Sequence, residues 1–292
     1  METKKEQDKW AQWLLHKRHG GDNEMQKTQL TFLGQVRDKV LQNAKIVEGN
    51  TVLDVGTGDG LIAFGALDRV GKQDRVIFSD ISQDLLNHCR SLAEDLGLID
   101  RCQFLKASAD NLAGCNDATV DVVTTRSVLI YMEAKQSAFK EFHRVLKPGG
   151  RLSIFEPINR FGYDPANSFP GFNVAPIIGI VEKISTVYSR LQPATDPMLD
   201  FDERDLFNIA EKAGFGEIHL ELHADMAPIP AGKLETMLRM SGNPRIPSLE
   251  EAMKQALTDE EIEMFTNHLR PQVETGQGTR KSAIAYLWAL KR

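Results

Sequence analysis

Short apolar runs alternate with stretches of helical periodicity through the middle of the chain. The runs occupy residues 52–56, 75–80, 101–107, 120–125 and 151–157. The stretches between them carry apolar residues at helical spacing, which predicts amphipathic helices. Continuous apolar runs are typical of strands that are buried on both faces, as in parallel sheets. The alternation therefore predicts βαβ units with right-handed crossovers.

The flanking regions follow other patterns. Residues 2–18 and 23–44 predict two helices separated by the turn HGGD, and residues 159–200 surround one apolar helix near 175–190. The remaining predicted elements are a helix and strand within 202–224, a helical stretch from about 230 to 275 and a strand at 282–291. Because the last two strands are not joined by a crossover helix packed on the sheet, we expect an antiparallel edge.

The predicted fold is α/β, with a Rossmann-like, doubly wound sheet of seven strands that is mostly parallel with an antiparallel edge strand, plus helical cap insertions. The predicted division is an N-terminal helical cap at 1–44, a cofactor-binding core at 45–158, an insertion at 159–200, a core helix and strand at 201–225, a helical lid at 226–276 and a final core strand at 277–292.

Composition and charge narrow the function classes. The 292 residues are 41% hydrophobic and carry a net charge of −6, which argues against general nucleic-acid binding. There is no apolar run of membrane-spanning length, and the N-terminus METKKEQDKW does not read as a secretory signal. Cys89, Cys102 and Cys115 show no metal-binding spacing and are expected to be free thiols. We therefore expect a cytoplasmic protein that does not bind membranes.

The turn VLDVGTGDG follows a buried strand and opens a helix. Two kinds of ligand could bind at this turn, a dinucleotide or S-adenosylmethionine. A dinucleotide fingerprint would need a third glycine where this chain has Leu61, and Asp54 would repel a pyrophosphate. S-adenosylmethionine, which has an ammonium and a sulfonium but no phosphate, would benefit from Asp54. Asp80 lies twenty residues after Gly60 and can accept both ribose hydroxyls of either ligand, although a helix N-cap is its alternative role, for which Ser82 is an equally good candidate.

Five stretches in register resemble the class I S-adenosylmethionine-dependent methyltransferases, in the branch of the ubiquinone and menaquinone biosynthesis C-methyltransferases and natural-product enzymes. They are VLDVGTGDG, VIFSDIS, KASADNL, DVVTTRSVLIYM and RVLKPGGRLSIFEP. The resemblance covers about residues 45–160 and, more loosely, 202–224. It implies that S-adenosylmethionine is the cofactor and that S-adenosylhomocysteine is the product.

The resemblance also assigns roles within the cofactor site. It places Asp80 on the ribose, Ile81 on the adenine and the backbone carbonyl of Arg126 near the cofactor ammonium. Ser108 stands where many members have an aspartate, so Asp110 is an alternative partner of the adenine amino group. The full set of expected cofactor residues from these motifs is Asp54, Gly56, Thr57, Gly58, Asp80, Ile81, Ser108, Ala109, Asp110 and Arg126.

Residues after the fourth and fifth strands should face the acceptor, because ligands of this fold lie beyond the carboxyl ends of the strands. These residues are Ser127, Tyr131, Glu156 and Asn159. Glu156 is the leading candidate for a general base, although a strand-end carboxylate bonded to an arginine is the alternative. Tyr131 packs either over the acceptor or into the core.

The N-terminal HKRHGGD segment concentrates polar chemistry. Arg18 or His19 would meet the cofactor carboxylate or the acceptor if the first helix folds over the pocket; otherwise these cations simply suit a helix C-terminus. Trp10 and Trp13 form either an aromatic wall for the acceptor or ordinary helix packing.

Other features bear on partners and metals. His219 and His223 share one face of a predicted strand but have no third ligand nearby, so no metal is expected. The apolar stretch 170–184 is either a pocket wall or the surface of a homodimer. Because the cap regions are large enough to enclose a ligand, we expect a small-molecule acceptor with an O-, N- or C-nucleophile. The alternatives are a peptide or protein side-chain methyltransferase, an NAD(P)-dependent dehydrogenase and a non-catalytic nucleotide-binding module.

Overall fold

A computed structural model describes residues 7–163 and 171–292. Its centre is a seven-stranded sheet in the order β3-β2-β1-β4-β5-β7-β6. The strands are β1 Val52–Val55, β2 Val76–Asp80, β3 Cys102–Lys106, β4 Val120–Arg126, β5 Leu146–Pro157, β6 Phe215–Pro228 and β7 Thr279–Lys291. Strands β1 to β5 pair in parallel, whereas β7 runs antiparallel to both β5 and β6. The predicted fold class is confirmed; the reversed strand, β7, lies second from its edge of the sheet.

Eleven α-helices accompany the sheet within the described ranges. They are α1 Lys9–Gln12, α2 Asn23–Ala44, α3 Leu61–Leu67, α4 Gln83–Asp95, α5 Lys135–Val145, α6 Asn159–Gly162, α7 Ile178–Leu191, α8 Glu203–Lys212, α9 Leu234–Arg239, α10 Leu249–Ala256 and α11 Asp259–Glu274. None of the helices in these ranges is long and apolar enough to cross a bilayer.

Two apolar clusters fill the space between the sheet and its helices. On one face, α2, α3 and α4 contribute residues such as Val40, Ala63 and Leu86. On the other face, α5 and α8 contribute Phe139 and Leu206. Every residue of β1 and β2 is buried, because both faces of these central strands are covered.

A third apolar cluster joins α7 to α9, α10 and α11. Ile180, Val181 and Ile184 of α7 are buried in it, together with Phe265 of α11. These side chains pack against helices and do not line the cavity described below. The pocket-wall interpretation is therefore wrong for the described residues 171–184, since the apolar face of α7 is used for helix packing; Pro170 lies outside the described residues, and the homodimer surface stays a prediction.

The first helix changes its winding after one turn. Asp8 caps α1 by accepting hydrogen bonds from the backbone N–H groups of Trp10 and Ala11. Residues Trp13–Lys17 then form a π-type turn, in which the N–H of Arg18 donates to the carbonyl of Trp13 at 2.9 Å. The wider turn places Arg18 directly above the Trp13 ring, with 5.7 Å between the guanidinium carbon and the ring centroid. Such turns occur often at functional sites.

Candidate active site

A cavity of about 720 Å³ lies beyond the carboxyl ends of β1, β2, β4 and β5. This volume is within the range of small-molecule sites, about 300–1,000 Å³. Its floor comes from the loops after these strands and after β3. Its remaining walls come from residues 10–18 of the first helix, from Gln29 and Leu85, from Met198 and from residues 240–245. Glu133, Gly242 and Arg245 line it and are exposed, so they mark its mouth.

The glycine turn between β1 and α3 forms one end of the cavity. Gly56 and Gly58 line it with positive φ angles of 66° and 57°, a conformation that favours glycine. A Cβ at Gly56 would lie 2.2 Å from Cγ2 of Val128, in the loop after β4. Because Gly56 has no side chain, the turn can lie close to the loop after β4, residues 127–131, and to a ligand. We call residues 127–131 the acceptor loop.

Asp54 lies beneath this turn. Its side chain is 1% exposed, and Oδ1 accepts a hydrogen bond from Oγ1 of Thr124 on the neighbouring strand at 2.8 Å. Burial raises the pKa of Asp54 to about 7, although the Thr124 hydrogen bond and the nearby charge of Arg126 act in the opposite direction. Oδ2 of Asp54 is buried and has no hydrogen-bond partner among the described residues.

Asp80 lines the cavity at the end of β2. Its two oxygens accept the backbone N–H groups of Gly58 at 2.9 Å and of Ser82 at 2.8 Å. Burial raises its pKa, and these two hydrogen bonds oppose that rise. The N-cap of α4 is Ser82, whose Oγ accepts the N–H of Leu85, so Asp80 keeps lone pairs for a ligand in the cavity.

Hydrogen bonds also join the first helix to the turn after β2, residues 80–84. The Ser82 hydroxyl donates to Oδ2 of Asp8 at 2.6 Å, and the backbone N–H of Asp8 donates to Asp84 at 2.7 Å. The N-cap of α1 is thus fixed next to Asp80. The helix begins at the nucleoside end of the cavity and runs along it.

The residues expected to contact adenine lie together beside Asp80. Ile81 lines the cavity and is 47% exposed, as expected for an apolar surface that a ligand would cover. Ala109 and Asp110 also line it, and the Ser108 hydroxyl donates to Oδ1 of Asp110. The arrangement offers a flat apolar surface with a carboxylate at its edge.

Glu156 is fully buried and does not line the cavity. Its carboxylate accepts the backbone N–H groups of Val128 at 2.9 Å, Leu129 at 3.0 Å and Ile130 at 3.2 Å. Burial raises its pKa to about 7, against the effect of these hydrogen bonds. This geometry does not suit the general base that the sequence suggested, because both oxygens hold the acceptor loop and neither faces the cavity.

Tyr131 follows Glu156's three partners and does face the cavity. Its ring makes edge-to-face contacts with Trp10, at 5.0 Å between centroids, and with Trp13, at 6.4 Å. Burial raises the pKa of Tyr131 to about 12, so its hydroxyl stays protonated at neutral pH. The two tryptophans line the cavity, as the aromatic-wall interpretation requires, and Nε1 of Trp13 donates to the carbonyl of Ser241 at 2.9 Å.

The cations of the first helix are divided between two environments. Arg18 lines the cavity, and burial together with the charge of Arg126 lowers its pKa. His19 does not line the cavity, and its Nδ1 is buried with no partner in the described part of the chain. Burial and the neighbouring charge of Arg18 lower the pKa of His19.

The unpartnered atoms test whether S-adenosylmethionine suits this site. Besides Asp54 Oδ2, the hydroxyl of Thr57 is buried with no partner within hydrogen-bond distance among the described residues, although Thr57 is near enough to lower the pKa of Asp54; both belong to the turn around Gly56. A buried acceptor without a donor is costly, so a ligand ammonium at this end, reaching Asp54 through a water molecule because Asp54 does not line the cavity, would satisfy a need that the protein leaves open. With Asp80 for the ribose and Ile81 for the base, the residues fit this cofactor.

Most of the cavity residues expected from the sequence come together. The expected residues that line it are Arg18, Gly56, Gly58, Asp80, Ile81, Ser108, Ala109, Asp110, Arg126, Ser127, Tyr131 and Asn159. Asp54, Thr57, Glu156 and His19 lie behind this layer. The described residues bring together no group of three His, Cys, Asp or Glu side chains suited to a metal.

Sequence reasoning missed the opposite wall. Met198, Met240, Ser241 and Arg245 line the cavity, although they come from segments read only as insertion and helical lid. Thr124, which holds Asp54, was missed as well. The stretch SGNPR at 241–245 carries turn residues, and these indicate a loop but not the cavity that it faces.

Comparison with known proteins identifies the relatives of this chain. The sequence model of the ubiE/COQ5 methyltransferase family matches residues 29–227, more than half of the chain. A ubiquinone/menaquinone biosynthesis C-methyltransferase, UbiE of Klebsiella pneumoniae, is 32% identical over 180 residues, which cover 58% of this chain and 68% of the relative.

Solved structures share the fold at lower identity. Phosphoethanolamine N-methyltransferase 2 of Haemonchus contortus, in complex with phosphomonomethylethanolamine and S-adenosylhomocysteine, is 16% identical with a TM-score of 0.52, covering 88% of this chain and 52% of that one. The cyclase SpnF is 18% identical with a TM-score of 0.50, covering 88% and 80%. A cyclase on the same fold shows that the architecture alone does not define the reaction.

Proposed function

The chain belongs to the ubiE/COQ5 methyltransferase family, and we propose that it transfers the methyl group of S-adenosylmethionine to a small organic acceptor held in the cavity above β1 and β4. The observation that carries this proposal is the continuity of the cavity. One space reaches from the acidic and glycine turns at Asp80 and Gly58 to an apolar region around Trp10 and Tyr131. A nucleoside donor and an apolar acceptor can therefore meet inside it.

The family match supports the donor half more strongly than the acceptor half. Asp80, Gly58 and also Tyr131 lie within the matched residues 29–227, whereas Trp10, Met240 and Arg245 lie outside them. The regions expected to act as cap and lid thus supply part of the acceptor wall. The Klebsiella relative's name describes transfer to carbon, so a carbon nucleophile is our first choice for this chain. Because part of the acceptor wall lies outside the matched residues, the acceptor molecule itself can differ from that of the relative.

A small molecule suits the cavity better than a protein side chain or a peptide. The tryptophans of the first helix pack against Tyr131, and the exposed residues Glu133, Gly242 and Arg245 mark a mouth on the acceptor side. The dehydrogenase alternative loses its support, because the matched family is one of methyltransferases.

Methyl transfer requires the protein mainly to align the nucleophile with the methyl carbon and the sulfur, and to exclude water. Bound S-adenosylmethionine supplies a methyl group that is electrophilic because it is attached to a positively charged sulfur. Tyr131, Ser127 and Asn159 line the acceptor region and would orient the nucleophile there. Glu156 would act as a positioning residue, since it fixes the backbone of Val128 and its neighbours. Arg18 would hold the cofactor carboxylate, and Asp54 would face its ammonium.

The proposed function is tested by incubating the protein with methyl-labelled S-adenosylmethionine and a panel of small aromatic and aliphatic acceptors. Label in an acceptor, with one equivalent of S-adenosylhomocysteine released, supports it. A protein that binds neither S-adenosylmethionine nor S-adenosylhomocysteine by calorimetry would refute it.

The orientation of the cofactor has its own test. Arg18→Gln should weaken S-adenosylhomocysteine binding by roughly ten- to a hundredfold, the cost of a lost charge-assisted hydrogen bond. It should leave the affinity for 5′-methylthioadenosine, which lacks the amino-acid portion, almost unchanged. Equal losses for both ligands would place Arg18 elsewhere.

A further inference from the structure

Two arginines line the cavity near Tyr131. Arg126 ends β4, and Arg245 follows α9 in the loop that includes Ser241. Nη2 of Arg245 donates to the carbonyl of Tyr131 at 2.7 Å, and its guanidinium carbon lies 6.0 Å from the Tyr131 ring centroid. Burial and the charge of Glu156 raise the pKa of the Tyr131 hydroxyl, whereas Arg18, Arg126 and Arg245 lower it, so three arginines place positive potential at that edge of the ring against one buried acid.

Neither arginine forms an ion pair within the part of the chain that the structure describes. Elsewhere the chain does pair its arginines: Arg144 contacts Asp117 and Glu141, both at 2.7 Å. The Arg126 side chain is half-buried, and removing a cation from water without a counter-ion is unfavourable. Two guanidiniums with free donors in one cavity create a site that favours an anion.

Two buried acids lie near this region, Asp54 close to Arg126 and Glu156 close to Tyr131, but burial raises the pKa of each to about 7 and neither lines the cavity. Asp80 and Asp110 belong to the nucleoside end, where each already accepts hydrogen bonds from the protein. Glu133 is exposed at the mouth. The cofactor carboxylate would have its own partner in Arg18, on the first helix. Arg126 and Arg245 therefore remain available to the acceptor.

The surrounding side chains specify the rest of that acceptor. Two indoles, the Tyr131 ring and three thioethers line the same region; these residues are Trp10, Trp13, Met132, Met198 and Met240. Aromatic rings and the polarisable sulfur of methionine both pack well against aromatic ligands. We propose that the acceptor is an aromatic anion, whose ring packs among these side chains and whose negative group is bound by Arg126 and Arg245. This inference rests on the proposed function, because it assumes that the cofactor fills the other end.

The test uses the protein saturated with S-adenosylhomocysteine, so that Arg18 and the nucleoside end are occupied. 2-Naphthoate and 2-naphthamide, which share a ring system and differ in charge, are then titrated by calorimetry. We expect the carboxylate to bind at least tenfold more tightly than the amide. Arg245→Gln and Arg126→Gln should each reduce that preference to threefold or less, while Arg239→Gln should retain it. Arg239 is exposed on α9 and does not line the cavity.

The possible outcomes separate the two proposals. Protein that fails to bind S-adenosylhomocysteine removes the proposed function, and this inference with it. Normal S-adenosylhomocysteine binding with equal affinities for the two probes, or with no binding of 2-naphthoate, overturns the anion site alone. Equal loss of both probes in folded Arg126→Gln and Arg245→Gln proteins, checked by circular dichroism, would also overturn it, because the arginines would then act only through the shape of the cavity.

Discussion

The indole N–H of Trp13 donates a hydrogen bond to the carbonyl of Ser241 at 2.9 Å, across 228 positions of sequence. This bond joins the first helix to the loop after α9, and the two elements together cover the acceptor region. A second attachment, from Ser82 to Asp8, holds the other end of the helix beside Asp80. The cavity wall is therefore assembled from the two ends of the chain.

Trp13→Phe should loosen this wall without removing its aromatic surface. Losing one hydrogen bond of about 1 kcal/mol corresponds to a roughly fivefold increase in local opening. Hydrogen exchange should therefore speed up in residues 9–18 by about that factor, and the KM for the acceptor should rise. The control is Trp288→Phe, because Trp288 lies on β7 and stacks on His219. Unchanged exchange at the first helix would show that the bond does not hold it.

Asp80→Asn should weaken cofactor binding. The carboxylate is placed to accept ribose hydroxyls, and loss of a charged hydrogen bond costs about 1–3 kcal/mol, or roughly five- to 150-fold in affinity. Calorimetry with S-adenosylhomocysteine measures the effect, with Asp95→Asn, an exposed change on α4, as the control. Equal affinities for the two variants would disprove the ribose assignment.

Glu156→Gln should damage the structure rather than a proton-transfer step. The carboxylate now accepts three backbone N–H hydrogen bonds, and an amide would place its own N–H donor against one of these groups. The free energy of unfolding should therefore fall by about 1–3 kcal/mol. The remaining activity should keep the wild-type dependence on pH. A variant of normal stability that loses a limb of the pH profile would restore Glu156 as a base.

The effect of Asp54 on stability should depend on pH. Burial raises its pKa in the folded chain to about 7 from an ordinary value of 3.8. The folded state thus binds this proton more tightly than the unfolded state, and the resulting stabilisation, complete below about pH 4, is lost as the pH rises through 7. In urea unfolding without ligand, the stability of wild type relative to Asp54→Asn should be lower at about pH 8 than at about pH 5. Asp68→Asn, on the surface, should show no such trend.

Gly56→Ala should be more harmful than Gly49→Ala, although both positions have positive φ, at 66° and 87°. An alanine in this region costs about 1–3 kcal/mol from backbone strain alone. At Gly49 nothing lies within 4 Å of the added Cβ, whereas at Gly56 the Cβ would meet Val128. Denaturant unfolding should show the extra loss, and Gly56→Ala with Val128→Ala should recover part of it. If the two single variants lost equal stability, the contact with Val128 would not matter.

The fold and the cofactor end were predictable because local sequence determines them. Buried strands such as Val52–Val55 and Val76–Asp80 are continuous apolar runs, and the glycine turn needs its particular residues to adopt positive φ. Ligand-facing positions then follow from the carboxyl ends of parallel strands. Asp80 and Ile81 were found in this way.

The acceptor wall was not predictable, because it depends on contacts between distant segments. Nothing in the sequence near Met240 or Arg245 indicates that a loop from the helical lid would lie next to Trp13. The buried position of Glu156 has the same cause. Its place at a strand end was clear, but the turn of backbone N–H groups that surrounds its carboxylate forms only when the loop after β4 folds back over it.

The contact between Gly56 and Val128 also limits how such an enzyme can diversify. In the proposed function the first residue would serve the donor and the second would begin the loop that lines the acceptor, yet their atoms leave no room for an added carbon between them. Evolution cannot enlarge one without first reducing the other. New acceptor preferences should therefore arise more readily by changing the segments around Met198 and Met240, which line the cavity and hold none of the proposed cofactor contacts, than by remodelling the loop at the centre.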